Sequence, residues 1–140
     1  MSEENLPTKK LHLKITTHEK VVFDSDVDSI SSRSTQGEFG VLPNHVPFTC
    51  VLDFGVTKIE VGNKCEFYTT MGGVFQLKDN EALILTQSAE NGADIDLARA
   101  KEAKVRAEAR LESAADDTDV KRAEVALARA LARLKASNKG

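Results

Sequence analysis

Between Asp94 and Leu134 the chain has few large apolar residues and is filled with alanine and long charged side chains, which leaves it little choice of structure. Alanine and straight-chain residues lose little entropy in a helix, so the stretch reads as two helices. These are IDLARAKEAKVRAEARL and DVKRAEVALARALARL, joined by a turn around Ala115-Asp116-Asp117-Thr118. Gly92 marks the boundary with what precedes, and Asp94 is the expected N-cap. On the second helix Val120, Leu127, Leu131 and Leu134 fall on one face, with Ala123 and Ala130 beside them. The first helix offers only Ile95, Leu97, Val105 and Leu111, so the seam between the two is expected to be mostly alanine. A buried leucine contributes about 1.5–3 kcal/mol and an alanine much less, so such a hairpin docks lightly and can detach.

Both helices carry an arginine row. Arg99, Arg106 and Arg110 keep to one side of the first, and Arg122, Arg129 and Arg133 repeat the spacing on the second. Closed antiparallel, the rows can face a common anion. The spacing equally allows two solvated faces balanced by Glu102, Glu108, Glu112 and Glu124.

The first 92 residues follow a different rule. Leu11 to Thr16 alternates apolar and polar residues, as in a strand with one buried face. A turn at His18-Glu19-Lys20 leads to a strand formed by Val21-Val22-Phe23 and Val27 to Ile30, interrupted at Asp24-Ser25-Asp26. GEFGVLPNHVPF (residues 37–48), with two glycines and two prolines, reads as a shaped loop. Thr49 to Leu52, Gly55 to Val61, Cys65 to Met71, Val74 to Leu77 and Ala82 to Thr86 supply further strands, with turns at Gly62-Asn63 and Lys78-Asp79-Asn80. Many short strands without an intervening helix indicate an antiparallel β-sandwich. The fold class is therefore β + α, with a sandwich over 1–92 and a helical hairpin over 93–140.

Charge divides the chain at the same place. Up to Gly92 eight Lys and Arg face thirteen Asp and Glu, and beyond it eleven face nine, so an acidic head carries a basic tail. No apolar run approaches the roughly 18 residues of a membrane span. The opening MSEENLPTKK has no apolar targeting segment, which fits a cytosolic bacterial setting. Cys50 and Cys65 lie on separate strands without metal spacing and read as buried reduced thiols. His45 has no nucleophile motif beside it, and Asp24, Asp26 and Asp28 lack the glycine and distal glutamate of a calcium loop. No phosphate-cradling glycine loop with a Lys-Ser/Thr end is present, so any nucleotide must be held by arginines, bound and not hydrolysed. The residues indicate no enzyme and no nucleic-acid partner. Chemistry alone also allows an adaptor in which a sandwich presents a helical hairpin to an acidic partner.

GEFGVLPNHVPF, then MGGVFQL, then IDLARA opening an alanine-charge hairpin, occur here in one order over residues 11–134. In that combination the chain resembles the epsilon subunit of bacterial F-type ATP synthase. Asn44 stands where the family usually has glycine, and asparagine tolerates the left-handed backbone next best. The resemblance implies a ten-stranded sandwich at the foot of the central stalk, against the gamma subunit and the c-ring, coupling proton flow to rotation. It places the chain peripherally on the cytoplasmic face of the bacterial membrane. By motif match Glu38 lies where the family meets the c-ring or gamma, and His45 where it meets gamma. The hairpin is implied to have two states: folded on the sandwich, or extended among the alpha and beta subunits to block ATP hydrolysis. No cofactor is required, but some members bind ATP as a regulatory ligand. Those members share the pattern found here at Ile95, Asp96, Arg99 and Ala100, with Glu90, Arg106, Arg129 and Arg133 at the other matching places. Guanidinium forks suit phosphate oxygens, so the four arginines are the implied phosphate ligands. Glu90, Asp96 and the backbone of Ile95 to Ala100 are left for base and ribose.

Overall fold

The computed structural model describes residues 10–139. The polar lead ahead of Lys10, on which the reading of a missing targeting signal rests, and Gly140 lie outside the described residues. Seven strands, β1 (Leu11–Thr16), β2 (Val21–Val27), β3 (Ser29–Ser34), β4 (Gly37–Val41), β5 (Phe48–Val61), β6 (Lys64–Lys78) and β7 (Glu81–Leu85), precede two helices, α1 (Leu97–Glu112) and α2 (Asp117–Lys139). The strands hydrogen-bond in the order β2-β1-β7-β6-β5-β3-β4. Leu11, Leu13 and Ile15 near one end of this sheet share a core with Ile30 and Val41 near the other, so the sheet folds over on itself as a sandwich. Phe75, fully buried, lies 5.1 Å from Phe39 and 5.3 Å from Phe48 between ring centroids.

Several expected boundaries move. The pairs of strands expected at 49–52 with 55–61, and at 65–71 with 74–77, each merge into one long strand, β5 and β6. Seven strands are described where the resemblance implied ten, and the two mergers account for two of that difference. The ladder loosens without ending where Asp53 stands opposite Gly72, and the Thr86 hydroxyl restores continuity by accepting from Met71 N–H (3.1 Å) and donating to the Gly72 carbonyl (2.6 Å). Gly73 at φ 112° is required there, since a Cβ would stand 2.0 Å from the Leu85 carbonyl oxygen. The strand expected from Val21 to Ile30 splits at Asp28 into β2, on β1, and β3, on β5, while the loop expected at 37–48 opens with β4. The sandwich is not wholly antiparallel, because β1 and β7 pair in parallel. Asn44 adopts the left-handed backbone (φ 69°), braced by its N–H to Asn80 Oδ1 at 2.6 Å.

The α1–α2 seam is alanine. Ala100, Ala107, Ala123 and Ala130 are buried, whereas Val105 is 64% exposed and Leu131, expected on the packed face, is 46% exposed. α1 packs on α2, and α2 is the helix that meets β5, β6 and the short 3-10 turn Gly92–Asp94. Asp94 is not the helix cap. Ile95 is extended (φ −80°, ψ 131°), which ends the 3-10 turn, so α1 starts two residues late with Asp96 as its N-cap. Cys65 is exposed near the β5–β6 turn and not buried, while Cys50 is half-buried and its thiol is pushed up by burial.

Candidate functional site

Glu90 leaves the head from a fixed position. Its carbonyl accepts from Thr69 N–H (2.8 Å) and its N–H donates to Thr69 Oγ1 (3.0 Å), while Asn91 bridges to Tyr68. The chain then makes its 3-10 turn and enters α1, where Asp96 Oδ1 caps the Arg99 N–H at 3.2 Å. From the other side α2 brings in Arg133, whose Nε donates to Glu90 Oε1 at 2.7 Å. Between these three elements lies a cleft of about 540 Å³. Glu90, Ile95, Asp96, Arg99, Ala100, Arg106 and Arg133 all line it, so one cleft gathers seven of the eight residues implied for a nucleotide. Asp94, Glu102 and Ala103 complete the lining, with Glu102 4.0 Å from Arg106.

Arg129 is not in the cleft. Its guanidinium carbon stands 5.8 Å from the centre of the Phe54 ring, a cation–π contact between α2 and β5. Arg110 and Arg122 are elsewhere too, lining a smaller cavity of about 310 Å³ at the hairpin turn with Ser113 and Asp119. The two arginine rows therefore do not converge as rows. Successive arginines on each helix sit at different heights along the hairpin, so the fold divides them among three places.

The residues implied for partner contacts are on the surface. Glu38, on β4, is exposed, 3.8 Å from Lys135 Nζ of α2. His45 is exposed in the β4–β5 loop, its Nδ1 2.7 Å from the Val46 carbonyl and its ring 5.1 Å from that of Phe48. Leu42 and Val46 beside it are 65% and 71% exposed. Sequence reading missed a second apolar surface. Register places Val51 opposite Val74, Val74 opposite Leu85, Leu85 opposite Thr16 and Thr16 opposite Val21, one row across five strands. Its four apolar members are 40–57% exposed. Val74 alternating with buried Phe75 was the available signal for an outward face. Among the described residues no cluster of His, Cys, Asp or Glu is arranged to hold a metal, and no helix is long and apolar enough to cross a membrane.

Residues 10–92 match the family model of the ATP synthase delta/epsilon chain beta-sandwich domain, and residues 93–138 that of the same chain's long alpha-helix domain. The chain belongs to the ATP synthase delta/epsilon family. It is 40% identical over 109 residues to the ATP synthase epsilon chain of Priestia megaterium, covering 78% of this chain and 81% of that one. With the epsilon chain of Nitratidesulfovibrio vulgaris (strain DP4) it shares 42% identity over 103 residues, 74% and 77% of the two chains. A chain in the Euglena gracilis mitochondrial ATP synthase OSCP/F1/c-ring structure superposes with TM-score 0.82 at 26% identity, covering 98% of this chain and 86% of that one. A chain of the Tetrahymena thermophila mitochondrial ATP synthase central stalk and c-ring shares the fold, with TM-score 0.61 at 15% identity over 94% and 99% of the two chains. This family member is thus an epsilon-type subunit of an ATP synthase. Its cleft lies where sandwich and helical hairpin meet.

Proposed function

We propose that this chain is a rotor subunit of the central stalk of a proton-transporting ATP synthase, and that its hairpin is an ATP-gated brake on hydrolysis. The head rests on the gamma subunit and the c-ring, peripheral to the cytoplasmic face of a bacterial membrane. Glu38, His45 and the exposed Leu42 and Val46 supply one contact surface, and the Val51–Val74–Leu85 row supplies another. The chain catalyses nothing itself. One observation carries the gating: the cleft is built from the head (Glu90), the start of α1 (Asp96, Arg99) and the far end of α2 (Arg133), so it exists only while the hairpin is closed and docked.

A ligand that binds only the docked form favours it by RT ln(1 + [L]/Kd), about 2.7 kcal/mol at a hundredfold excess over Kd. α2 turns small residues such as Ala132 and Ala136 to the head, so the hairpin docks lightly and that amount decides its state. Arg99, Arg106 and Arg133 hold the phosphates, while Glu90, Asp96 and the backbone of Ile95 to Ala100 hold base and ribose. Arg129 acts through Phe54, keeping α2 on the head. With ATP scarce the hairpin leaves and inserts its basic face among the alpha and beta subunits, stopping hydrolysis. The test is an NMR titration of the full chain with ATP. Saturable shifts at Arg99, Arg106 and Arg133 within the millimolar range are expected, and their absence refutes the gating while leaving the rotor role intact.

A further inference from the structure

We propose that Gly92 is a positioning residue for the nucleotide cleft: by presenting bare backbone to the last turns of α2 it sets how far the cleft closes, and so its affinity. This rests on the reading of the cleft as a nucleotide site. A Cβ at position 92 would stand 2.3 Å from the carbonyl oxygen of Ala136, 2.8 Å from its carbonyl carbon and 3.2 Å from the carbonyl oxygen of Phe67. Carbon and carbonyl oxygen normally approach to about 3.3 Å, so a side chain there forces α2 back by about an ångström. Every atom in the way is backbone, one set on α2 and the other on β6, and no rotamer change relieves the clash. Gly92 and Ala136 are accordingly buried, Ala136 completely.

The backbone of Gly92 does not itself demand glycine. It is absent from the positive-φ residues, so alanine is acceptable there whenever α2 is elsewhere. A side chain at 92 therefore penalises the docked state far more than the undocked one. The 3.2 Å approach to the Phe67 carbonyl persists without α2 but needs a shift of only a few tenths of an ångström, whereas the 2.3 Å approach to Ala136 exists only when α2 is seated. The consequence reaches the cleft directly, because Glu90 lies two residues before Gly92 and Arg133 three residues before Ala136. The Glu90–Arg133 bond of 2.7 Å and the Gly92–Ala136 contact belong to one seam. Withdrawal of α2 by an ångström stretches that bond beyond hydrogen-bond range and carries the Arg133 guanidinium away from Arg99 and Arg106. Glycine has no side chain to touch a ligand, so any loss of affinity on changing it acts through the seating of α2.

The experiment uses the full chain as wild type, Gly92→Ala, Ala136→Leu, which separates the same two backbones from the helix side, and Ala93→Ser at the exposed neighbouring position. ATP affinity and amide exchange over residues 127–136 are measured by NMR, with the Phe75 and Ile84 amides reporting the fold of the head and the Arg133 Nε–H resonance reporting the cleft. Gly92→Ala and Ala136→Leu should each weaken ATP binding at least tenfold and speed exchange in that segment at least tenfold without ATP. The Arg133 resonance should move to the position of a solvated guanidinium, the head amides should not change, and Ala93→Ser should match wild type. Wild-type exchange and affinity in Gly92→Ala overturn the proposal, as does an equal loss in Ala93→Ser. If the wild type itself binds no ATP, the nucleotide reading falls, and the exchange data still decide whether Gly92 seats α2.

Discussion

The contact between Glu90 and Arg133 joins head to hairpin, and its energetic weight can be worked from the structure. The separation is 2.7 Å, with the side chains 41% and 35% exposed. A charge-assisted hydrogen bond away from water contributes about 1.5–3 kcal/mol. Exposed ion pairs give about 0.2–1 kcal/mol, because water screens them and two long side chains lose freedom. Exposure of a third or more puts this pair near the top of the second range, about 1 kcal/mol, a factor of about five in the docking equilibrium. Four chains measure it: wild type, Glu90→Ala, Arg133→Ala and the double variant, compared by amide exchange over residues 127–136 without nucleotide. The double variant should lose about 1 kcal/mol less than the two single losses combined. The non-additive part should shrink as salt rises from 10 mM to 1 M, where the screening length falls from about 30 to about 3 Å. Additivity within about 0.2 kcal/mol, or a coupling indifferent to salt, refutes the pair as a docking contact.

Other outcomes follow from single groups. His12 faces Asp26 through Nδ1 (2.8 Å) and Asp24 through Nε2 (2.5 Å), and both nitrogens can donate only as imidazolium, so its pKa is raised above 6.5, first by Asp26 and then by Asp24. Its contribution to stability is full below the unfolded value near 6.5 and is lost as pH rises through the higher folded value; NMR should record that raised pKa, lowered again by Asp26→Asn. Phe75→Ala, at a fully buried site between Phe39 and Phe48, should cost the head about 3–5 kcal/mol in denaturant unfolding. Val74→Lys with Leu85→Glu, an opposite-charge pair on facing positions, should leave unfolding within about 0.5 kcal/mol, because both side chains are at least 40% exposed, and should abolish co-purification with gamma.

Local patterns were legible because they depend on neighbours in sequence. The Leu11-Leu13-Ile15 alternation and the alanine content of each helix follow from side chains close in sequence, the left-handed Asn44 followed from the family's glycine at that place, and the fold class followed from counting the strand and helix patterns. Strand limits were not legible. Asp53 and Gly72-Gly73 have the composition of turns, yet each strand supplies the partner that carries the other through the irregularity, with Thr86 from β7 closing the gap. The parallel β1–β7 pair is likewise a long-range choice with no local mark. The α1 cap was misplaced for a local reason: Asp94 and Asp96 are both capping residues, and the 3-10 turn capped by Asn91 takes up the first.

The arginines mark the boundary between what spacing tells and what only the fold decides. Helical spacing put six guanidiniums on two faces, and a common anion for all six was one reading of that pattern. In the folded chain Arg99, Arg106 and Arg133 share the cleft with Glu90, Asp94, Asp96 and Glu102, three formal positive charges among four negative ones. The cleft is therefore no general anion trap. Two of the guanidiniums already have a carboxylate beside them, Arg133 that of Glu90 at 2.7 Å and Arg106 that of Glu102 at 4.0 Å, while Asp96 is taken up by the backbone N–H of Arg99. A triphosphate entering this cleft must take the Arg133 and Arg106 guanidiniums from the carboxylates beside them, and gains less than it would from unpaired arginines. Under the proposed gating that competition has a use. Binding weakened by internal ion pairs keeps the docked population responsive to changes in ATP concentration, whereas a site of bare arginines would stay filled and leave the hairpin fixed.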